Sequence, residues 1–331
     1  MKKSLTILSI LSLAVSLAVV GCKKDDVTGS SDTAQAPTGV TNEQSAMKYF
    51  ALNDEFVNND EQTFADKSIA PTDYDESVSK TDAAITPLKW GRFITSVTRT
   101  VTVTTMPGDS IAVARVDRII IGVLKIRAIS GAGDTSTISK NFQDTSAKNV
   151  VFKRVANDQK HYWLNWLPVA TSLVSGGTNP APVNEGISIT KLELTAGGAT
   201  VTVTDPLTTW LRYRWLKMFN GGKSDVPELS AGETVTVKVT IQSQSADTDI
   251  VALRHGFNYV AGHYKRVKMA MTSQSGPDGN GYYTRTYEKQ VPIRIYPGYF
   301  HFGIDAVTRA TLYDDSAPYS VAWWGIPYRV F

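Results

Sequence analysis

The sequence predicts a mainly β protein built from antiparallel β-sandwich domains, with one short helix near the N-terminus. Three observations favour this fold class. From residue 91 onward, apolar and polar residues alternate with period two. Turn signals recur roughly every ten residues over the β-rich C-terminal third, as in a sandwich. No long amphipathic helical pattern alternates with the strand signals, so a doubly wound parallel sheet is not expected.

The short helix is predicted over residues 41–58. Thr41 or Asn42 is a suitable N-cap, and Met47, Phe50 and Val57 fall near helical spacing. We expect this helix to pack on the β structure rather than to form a site.

A long antiparallel hairpin is predicted after residue 91. Its first strand carries alternating apolar residues and threonines, residues 106–109 (MPGD) supply the turn, and β-branched residues dominate the return strand. Gly122 in the return strand marks a bulge or a close contact. Further strands are predicted at 148–155, 186–195 and 199–204, and the apolar phase slips by one residue within 186–195, which indicates a β-bulge.

The C-terminal part opens with an alternating strand, GETVTVKVTIQS, after a stretch typical of an interdomain joint near 223–232. This opening resembles the first long strand of bacterial immunoglobulin-like β-sandwich modules, although their cysteine pair is absent. Further strands are predicted near 251–255, 264–272, 282–296, 299–304, 307–313 and 319–330. The loop at 276–281 (GPDGNG) is expected to connect two of them as a hairpin.

The first 22 residues have the layout of a secretory signal. Lys2 and Lys3 precede an apolar stretch from Leu5 to Val20. Residues 19–22 (VVGC) resemble the lipobox of bacterial lipoproteins, which implies cleavage between Gly21 and Cys22 and attachment of a diacylglycerol to the Cys22 thiol. A transmembrane helix is the alternative, although the stretch is close to the minimum of about 20 residues.

The residues after the cysteine, Lys23 to Asp26 (KKDD), resemble the export signal of Bacteroidota-type surface lipoproteins. That resemblance implies an outer-membrane protein, lipid-anchored and exposed on the cell surface. A plain solvated run of charges is the alternative.

The expected organisation has four parts: a signal peptide at 1–21, a flexible tether at 22–45, a β-rich N-terminal domain with a short helix at 46–222, and an immunoglobulin-like sandwich at 223–331. Residues 23–85 carry 13 acids and 5 lysines, a net charge of −8, whereas residues 86–331 carry +9. Either the acidic segment folds back on the basic body, or a basic surface stays available for anionic partners.

No catalytic residue, metal site or cofactor is predicted. The single cysteine excludes an internal disulfide, and the sequence has no G-x-S-x-G, H-E-x-x-H, Walker or dinucleotide-binding motif. His301 lies in an aromatic strand-like run and is expected to be a half-buried, hydrogen-bonded histidine rather than a metal ligand. No clustered basic stripe points to nucleic acid. A pair of catalytic carboxylates would be invisible in a sequence, so an extracellular polymer hydrolase stays open.

Aromatic residues interleaved with cations are the most suggestive feature. On a strand, Trp210, Arg212 and Arg214 share one face, and Leu211, Tyr213 and Trp215 share the other. The first face could stack an indole on a sugar and pair its guanidinium groups with acidic substituents. The alternative is that these aromatics, with those of residues 161–166, 282–287 and 323–324, are core and sheet covers.

These observations predict a non-enzymatic, lipid-anchored surface protein that binds or scaffolds, with a glycan or an envelope protein as its partner. The membrane itself is a partner through Cys22. A purely structural envelope accessory is the remaining alternative, and it predicts a large exposed apolar patch.

Overall fold

The computed structural model of the chain describes residues 36–53, 66, 70–71, 85–130, 133–159, 161–212, 228–256, 264–293 and 295–331. All of them belong to one compact unit, Ala36–Phe331. The predicted fold class is confirmed: this unit is mainly antiparallel β, with two sheets and a short N-terminal helix.

Seventeen strands are described. In chain order they are β1 (Ala70–Pro71), β2 (Ile85–Thr105), β3 (Ile111–Ser130), β4 (Thr135–Arg154), β5 (Trp166–Ser172), β6 (Val174–Thr178), β7 (Ile187–Ala196), β8 (Ala199–Val203), β9 (Trp210–Arg212), β10 (Glu228–Leu229), β11 (Thr234–Ser243), β12 (Ile250–Gly256), β13 (Tyr264–Lys268), β14 (Ala270–Ser275), β15 (Tyr283–Pro292), β16 (Gly298–Val307) and β17 (Val321–Val330). The described helices are α1 (Glu43–Asn53), α2 (Arg309–Tyr313) and a 3-10 turn at Tyr162–Leu164.

The larger sheet runs in the order β1-β2-β3-β4-β6-β17-β16-β12-β13. Strand β5 pairs with β4 and carries β9 on its other side, and β10 lies parallel beside the end of β17. The smaller sheet runs β14-β15-β11-β7-β8. Strands from both sides of residue 223 occur in both sheets. Segments 46–222 and 223–331 therefore do not form separate sheets, because strands such as β7 and β11 find their partners across that position.

The predicted hairpin is the longest element of the fold. Strands β2 and β3 pair along nearly their whole length, and the turn between them places Gly108 and Asp109 at positive φ. Gly122 allows a close approach: a Cβ there would lie 2.4 Å from the carbonyl oxygen of Phe93 and 2.5 Å from the ring of Phe142. A register shift lies opposite, between Ile94 and Ser96, so the expected bulge and contact occur together.

The one-residue shift of apolar phase that was predicted within residues 186–195 is also present, as a β-bulge. The pairing of β7 with β11 shifts at Thr190, whose hydroxyl donates a hydrogen bond to the Thr240 carbonyl. Strand β11 alternates as expected, because Val235, Val237, Val239 and Ile241 are all fully buried. Burying each such side chain stabilises the fold by roughly 1.5–3 kcal/mol.

One hydrophobic core fills the space between the two sheets. It draws on β7 and β11 from the smaller sheet and on β12, β16 and β17 from the larger one. Two further clusters lie elsewhere on the larger sheet. One surrounds Trp90, Phe142 and Trp323, and the other packs α1 against β3, β4 and β5.

Helix α1 begins where its cap was predicted. The Asn42 carboxamide accepts a hydrogen bond from the Ser45 amide, and the Ser45 hydroxyl accepts one from the Asn42 amide. This reciprocal arrangement satisfies backbone donors at the helix start. Met47 and Ala51 bury the inner side of the helix.

The strand predicted at 307–313 is wrong, because residues 309–313 form α2. Thr308 precedes the helix, and the Thr311 hydroxyl, which lies 2.9 Å from the Thr308 hydroxyl, accepts a hydrogen bond from the Ser320 amide. The contact with Ser320 comes from a loop nine residues further along the chain, which strand alternation does not reveal. A helix of five residues is also too short to show a helical period in the sequence.

Candidate functional site

A buried ionic cluster occupies one face of the larger sheet. Asp305 on β16 is fully buried, and it accepts hydrogen bonds from Arg92 on β2 and from Arg254 on β12. The Arg254 Nε lies 3.1 Å from the Asp305 Oδ2. Since β2 and β16 are far apart in strand order, the sheet must curve strongly to bring these side chains together.

Asp66 completes the cluster. Its carboxylate accepts hydrogen bonds from the Arg92 amide at 2.8 Å, from Arg254 Nη1 at 3.0 Å and from Arg266 Nη2 at 2.8 Å. The Arg266 guanidinium also lies over the ring of Trp90, 3.5 Å from its centroid. Residue 66 thus links β2 at one end of the sheet order to β13 at the other.

Two carboxylates, Asp66 and Asp305, face three guanidinium groups in this cluster, which leaves one positive charge in excess. Burial raises the pKa of both carboxyl groups, but the neighbouring guanidinium groups outweigh it. Arg254 and Arg266 lower the pKa of Asp66 to about 2, and Arg92 with Arg254 holds the pKa of Asp305 below its ordinary value. These carboxylates are held ionised against arginines, so removing one partner would leave an unbalanced charge in the protein interior.

A second layer lies beside the cluster. The Tyr319 hydroxyl donates a hydrogen bond to Asp144 Oδ2 at 3.0 Å, and Arg92 Nη1 lies 3.4 Å from that hydroxyl. Burial raises the pKa of Asp144 to about 6, against the opposing effect of Arg92. Asp144 Oδ1 has no hydrogen-bond partner among the residues described, which is consistent with a weakened preference for the ionised form.

A cleft of about 310 Å³ opens next to this layer. Phe142 and Tyr319 stack at its floor with ring centroids 4.8 Å apart, and Thr178 and Pro318 contribute to its walls. Lys140 is also part of the lining, and its ammonium group donates to the carbonyls of Asp314 and Ala317. Burial lowers the pKa of Lys140.

The three aspartates grouped beside the cleft are not placed as a hydrolytic pair. A glycosidase needs two carboxyl groups about 5–10 Å apart that reach the substrate. Glu185, Asp314 and Asp315 lie near Lys140 in the lining. Asp66, Asp144 and Asp305 come together beside the cleft, where Arg92 faces all three. Their hydrogen-bonding capacity is used mainly within the protein.

Strand β9 carries two of the three residues predicted to bind a ligand. Trp210 is half-buried and Arg212 is exposed, while Leu211 between them belongs to the core between the sheets. Trp210 and Arg212 therefore share a face, as the period-two pattern predicts. Arg214, Tyr213 and Trp215 lie outside the described residues.

Most other aromatics named from the sequence serve the core. Trp166, Trp323, Trp324 and Tyr287 are buried. Trp166 donates its indole hydrogen bond to Glu43 at 2.8 Å, which ties α1 to β5. Trp163 is half-buried and stands edge-to-face on both His161 and Tyr162.

Three of the four histidines are described by the structure. His301 on β16 is buried, more deeply than the half-buried position expected from the sequence. His161 pairs with Asp158 at 2.8 Å, and His255 lies on β12, whereas His263 is outside the described residues. Over the part of the chain that is described, no group of three or more histidine, cysteine, aspartate or glutamate side chains is placed to hold a metal ion.

The acidic segment reaches the basic body at two described places. Asp66 enters the arginine cluster, and Glu43 pairs with Arg154 at 2.5 Å. These contacts support the first of the two alternatives for the uneven charge, in which the acidic segment folds back.

The ionic cluster itself was not predicted. The signal present in the sequence was a single charge within each of two otherwise apolar strands, Arg254 in IVALRHG and Asp305 in GYFHFGIDAV. A charge at such a position is almost never buried without a partner. Period-two reasoning could therefore have flagged each residue, but not which partner it meets.

Gly21 and Cys22 lie outside the described residues, so the predicted cleavage and lipidation stay predictions. No helix within the described ranges has both the length and the apolar character needed to cross a membrane. No known protein family, no curated protein and no solved structure matches this chain.

Proposed function

We propose that this protein is a lipid-anchored surface protein of a bacterium that binds an anionic glycan through β9, with Trp210 and Arg212 as the contact residues. The single observation that carries the binding proposal is the placement of an indole and a guanidinium group on one face of a strand whose other face is fixed in the core.

The anchor is supported by the sequence around Cys22. Each buried methylene of an acyl chain contributes about 0.8 kcal/mol, and one chain alone binds only marginally. The two or three chains carried by a lipobox cysteine hold a protein stably. The protein would then be tethered by residues 23–45, which are polar and poor in large apolar residues.

The geometry of β9 suits a rigid contact surface. Trp210 pairs with Ser172, and Arg212 pairs with Ala170 on β5. The preceding turn is held by Asp205, whose side chain and carbonyl accept hydrogen bonds from the Leu207 amide and the Thr209 hydroxyl. A surface that is already ordered loses little conformational entropy when it binds.

The chemistry of the two side chains defines the ligand class. A flat indole stacks on the apolar face of a sugar ring, and a guanidinium group binds carboxylate or sulfate oxygens in a bidentate manner. The exposed guanidinium group of Arg212 on that face favours an anionic ligand over a neutral one. Uronic acid or sulfated polysaccharides have both features.

The test is an array of neutral, carboxylated and sulfated glycans probed with the chain from Lys23 to Phe331, which retains every described element. We expect binding to the anionic glycans. Trp210→Ala should weaken it at least about tenfold, and Trp210→Phe less, because a smaller ring still stacks. Arg212→Ala should remove the preference for acidic glycans.

The matched controls are Trp163→Ala, a half-buried tryptophan elsewhere, and Arg127→Ala, an exposed arginine on β3. Both should bind as the parent chain does. A parent chain that binds no glycan, or binding that Trp163→Ala and Trp210→Ala reduce equally, would overturn the assignment of β9.

A protein partner is the second candidate, and a different surface favours it. Ile119 and Ile121 on β3 are both exposed and point to the same side of the sheet. Phe93, which pairs with Val123 nearby, is half-buried beneath the ammonium group of Lys125 at 5.0 Å. Substituting Ile119 and Ile121 by threonine should abolish capture of an envelope protein if this surface is the contact.

A further inference from the structure

Four large apolar side chains lie exposed at one end of the larger sheet. Met106 and Ile111 flank the turn between β2 and β3. Val155 follows β4, and Leu164 ends the 3-10 turn before β5. Each of the four is between 42% and 50% exposed, and we call them the apolar tip. A group of exposed apolar side chains commonly marks contact with a protein or with a membrane.

Backbone hydrogen bonds bring the segments of the apolar tip together. The turn between β2 and β3 is joined to the end of β4, because the Arg154 amide donates to the Ser110 carbonyl. The next residue, Val155, donates its amide to the carbonyl of Asn165, which directly follows Leu164. The tip is therefore one continuous end of the sheet, although its residues are up to about 60 positions apart in the chain.

Two aromatic side chains adjoin the apolar tip. Trp163, directly before Leu164, is half-buried and stands edge-to-face on Tyr162, with 5.2 Å between the ring centroids. Tryptophan and tyrosine are enriched where a membrane meets water, because each combines an apolar ring with one polar group. The residue types around the tip therefore suit an interface between lipid and water.

The N-terminal part of the described chain enters the fold at this same end. The Tyr162 hydroxyl donates a hydrogen bond to the Val40 carbonyl at 3.0 Å, and Val40 is buried. The Val40 amide donates to the Pro37 carbonyl, and this turn keeps Pro37 beside the tip. Cys22, the proposed site of lipid attachment, precedes Pro37 by 15 positions.

This short connection limits which end of the sheet can meet the membrane. Fifteen residues span at most about 54 Å, even when they are fully extended. Strand β3 runs away from the tip for 20 residues, which corresponds to about 65 Å. The opposite end of the sheet therefore cannot stand on a membrane that holds a lipid on Cys22, whereas the tip can.

We propose that the apolar tip inserts into the interfacial layer of the membrane that holds the lipid anchor, so that the sheet stands on the bilayer. The choice of partner rests on the anchor in the proposed function. The anchor keeps the tip at a high local concentration of lipid. A contact through four partly exposed side chains, which is weak alone, is then sufficient.

The charges around the tip indicate what drives this contact. Asp109 in the turn and Asp158 in the loop after β4 are exposed, Lys153 supplies the opposite sign, and Arg154 is paired with Glu43. Because both signs are present, the tip creates no strong field at charged headgroups. We therefore expect a contact that depends on apolar burial and changes little with salt.

The test is hydrogen exchange, measured by mass spectrometry, on the chain from Cys22 to Phe331. Its only cysteine is coupled to a maleimide phospholipid in vesicles of phosphatidylethanolamine and phosphatidylglycerol. The reference is the same chain capped with a soluble maleimide. On the vesicles, amide exchange in residues 106–110 and 155–159 should slow at least about tenfold, while exchange in the loop at 179–186 should not change.

Variants of the tip should lose this protection. Leu164→Asp and Met106→Asp each place a charge where the apolar interface would have to bury it. Val183→Asp is the matched control, because Val183 is 87% exposed on the loop after β6, and β6 ends on the side away from Arg154. The control should keep the protection. All three variants should keep the parent's melting temperature, since the altered side chains are exposed.

The result does not depend on lipidation in the cell, because the coupling supplies the attachment. Lipidation is tested separately by fractionation of Cys22→Ala. Unchanged exchange at the tip on vesicles would overturn the proposal. So would protection that Leu164→Asp leaves intact. Protection that appears in the capped chain as its concentration rises would also overturn it, because the tip would then be a contact between copies of the chain.

Discussion

Replacing Asp66 by asparagine should destabilise the protein far more than its position in a weakly patterned segment suggests. Its carboxylate touches Arg92, Arg254 and Arg266, and its side chain is only 13% exposed. The substitution keeps the size of the group and removes the charge that balances two buried guanidinium groups.

The magnitude follows from the cluster. Lowering the pKa of Asp66 from 3.8 to about 2 corresponds to about 2.5 kcal/mol of stability at neutral pH. Breaking a buried pair by removing one partner costs about 3–5 kcal/mol, since the other charge stays buried. We therefore expect Asp66→Asn to lose about 3 kcal/mol.

The assay is urea unfolding of the chain from Lys23 to Phe331, followed by tryptophan fluorescence. Asp117→Asn is the matched control, because Asp117 also pairs with an arginine, Arg115 at 2.9 Å, but both side chains are nearly half exposed. Exposed pairs contribute less than about 1 kcal/mol, so this variant should lose little.

The pH dependence provides a second readout. A carboxyl group whose pKa is lowered on folding stabilises the protein above its unfolded pKa and loses that effect as the pH falls toward the folded value. About half of the electrostatic contribution should be gone by pH 3. The reasoning is refuted if Asp66→Asn loses no more than Asp117→Asn, or if its deficit is the same at pH 7 and pH 3.

Two further outcomes can be checked with the same material. Burial raises the pKa of Asp144 to about 6, so the protonated group stabilises the fold below about pH 4 and this contribution is lost as the pH rises through 6. Relative to Asp144→Asn, the free energy of unfolding of the parent chain should increase by about 2 kcal/mol when the pH falls from 7 to 4. A difference between the two chains that stays constant with pH in urea unfolding would contradict this. Cys22→Ala in the full chain should leave the membrane fraction on cell fractionation, and variant protein that stays embedded would restore the transmembrane alternative.

The local elements were largely predictable because they depend on near neighbours. Alternation gave the faces of β11 correctly, the turn at 106–109 located the β2–β3 hairpin, and Asn42 was identified as a cap for α1. The bulge near Thr190 was visible as a one-residue slip in the apolar phase, and the one opposite Gly122 was indicated by a glycine within a strand. Each of these signals spans only a few residues.

Only part of the candidate site could be predicted from the sequence. The shared face of Trp210 and Arg212 followed from strand periodicity. The burial of Trp166 and Trp323, and the meeting of Asp66, Asp144 and Asp305 around Arg92, depend on which strands lie next to one another. That information is not contained in a local pattern.

By itself, the sequence determined the β class, the faces of most strands and the expectation of an anchor at Cys22, because periodicity and a contiguous motif are local properties. Only the tertiary structure decided that β7 pairs with β11 across residue 223, and that Asp66, Arg92, Arg254 and Asp305 share one buried cluster. Charges 213 positions apart, Arg92 and Asp305, meet only when the sheet curves, and curvature is a property of the assembled strands.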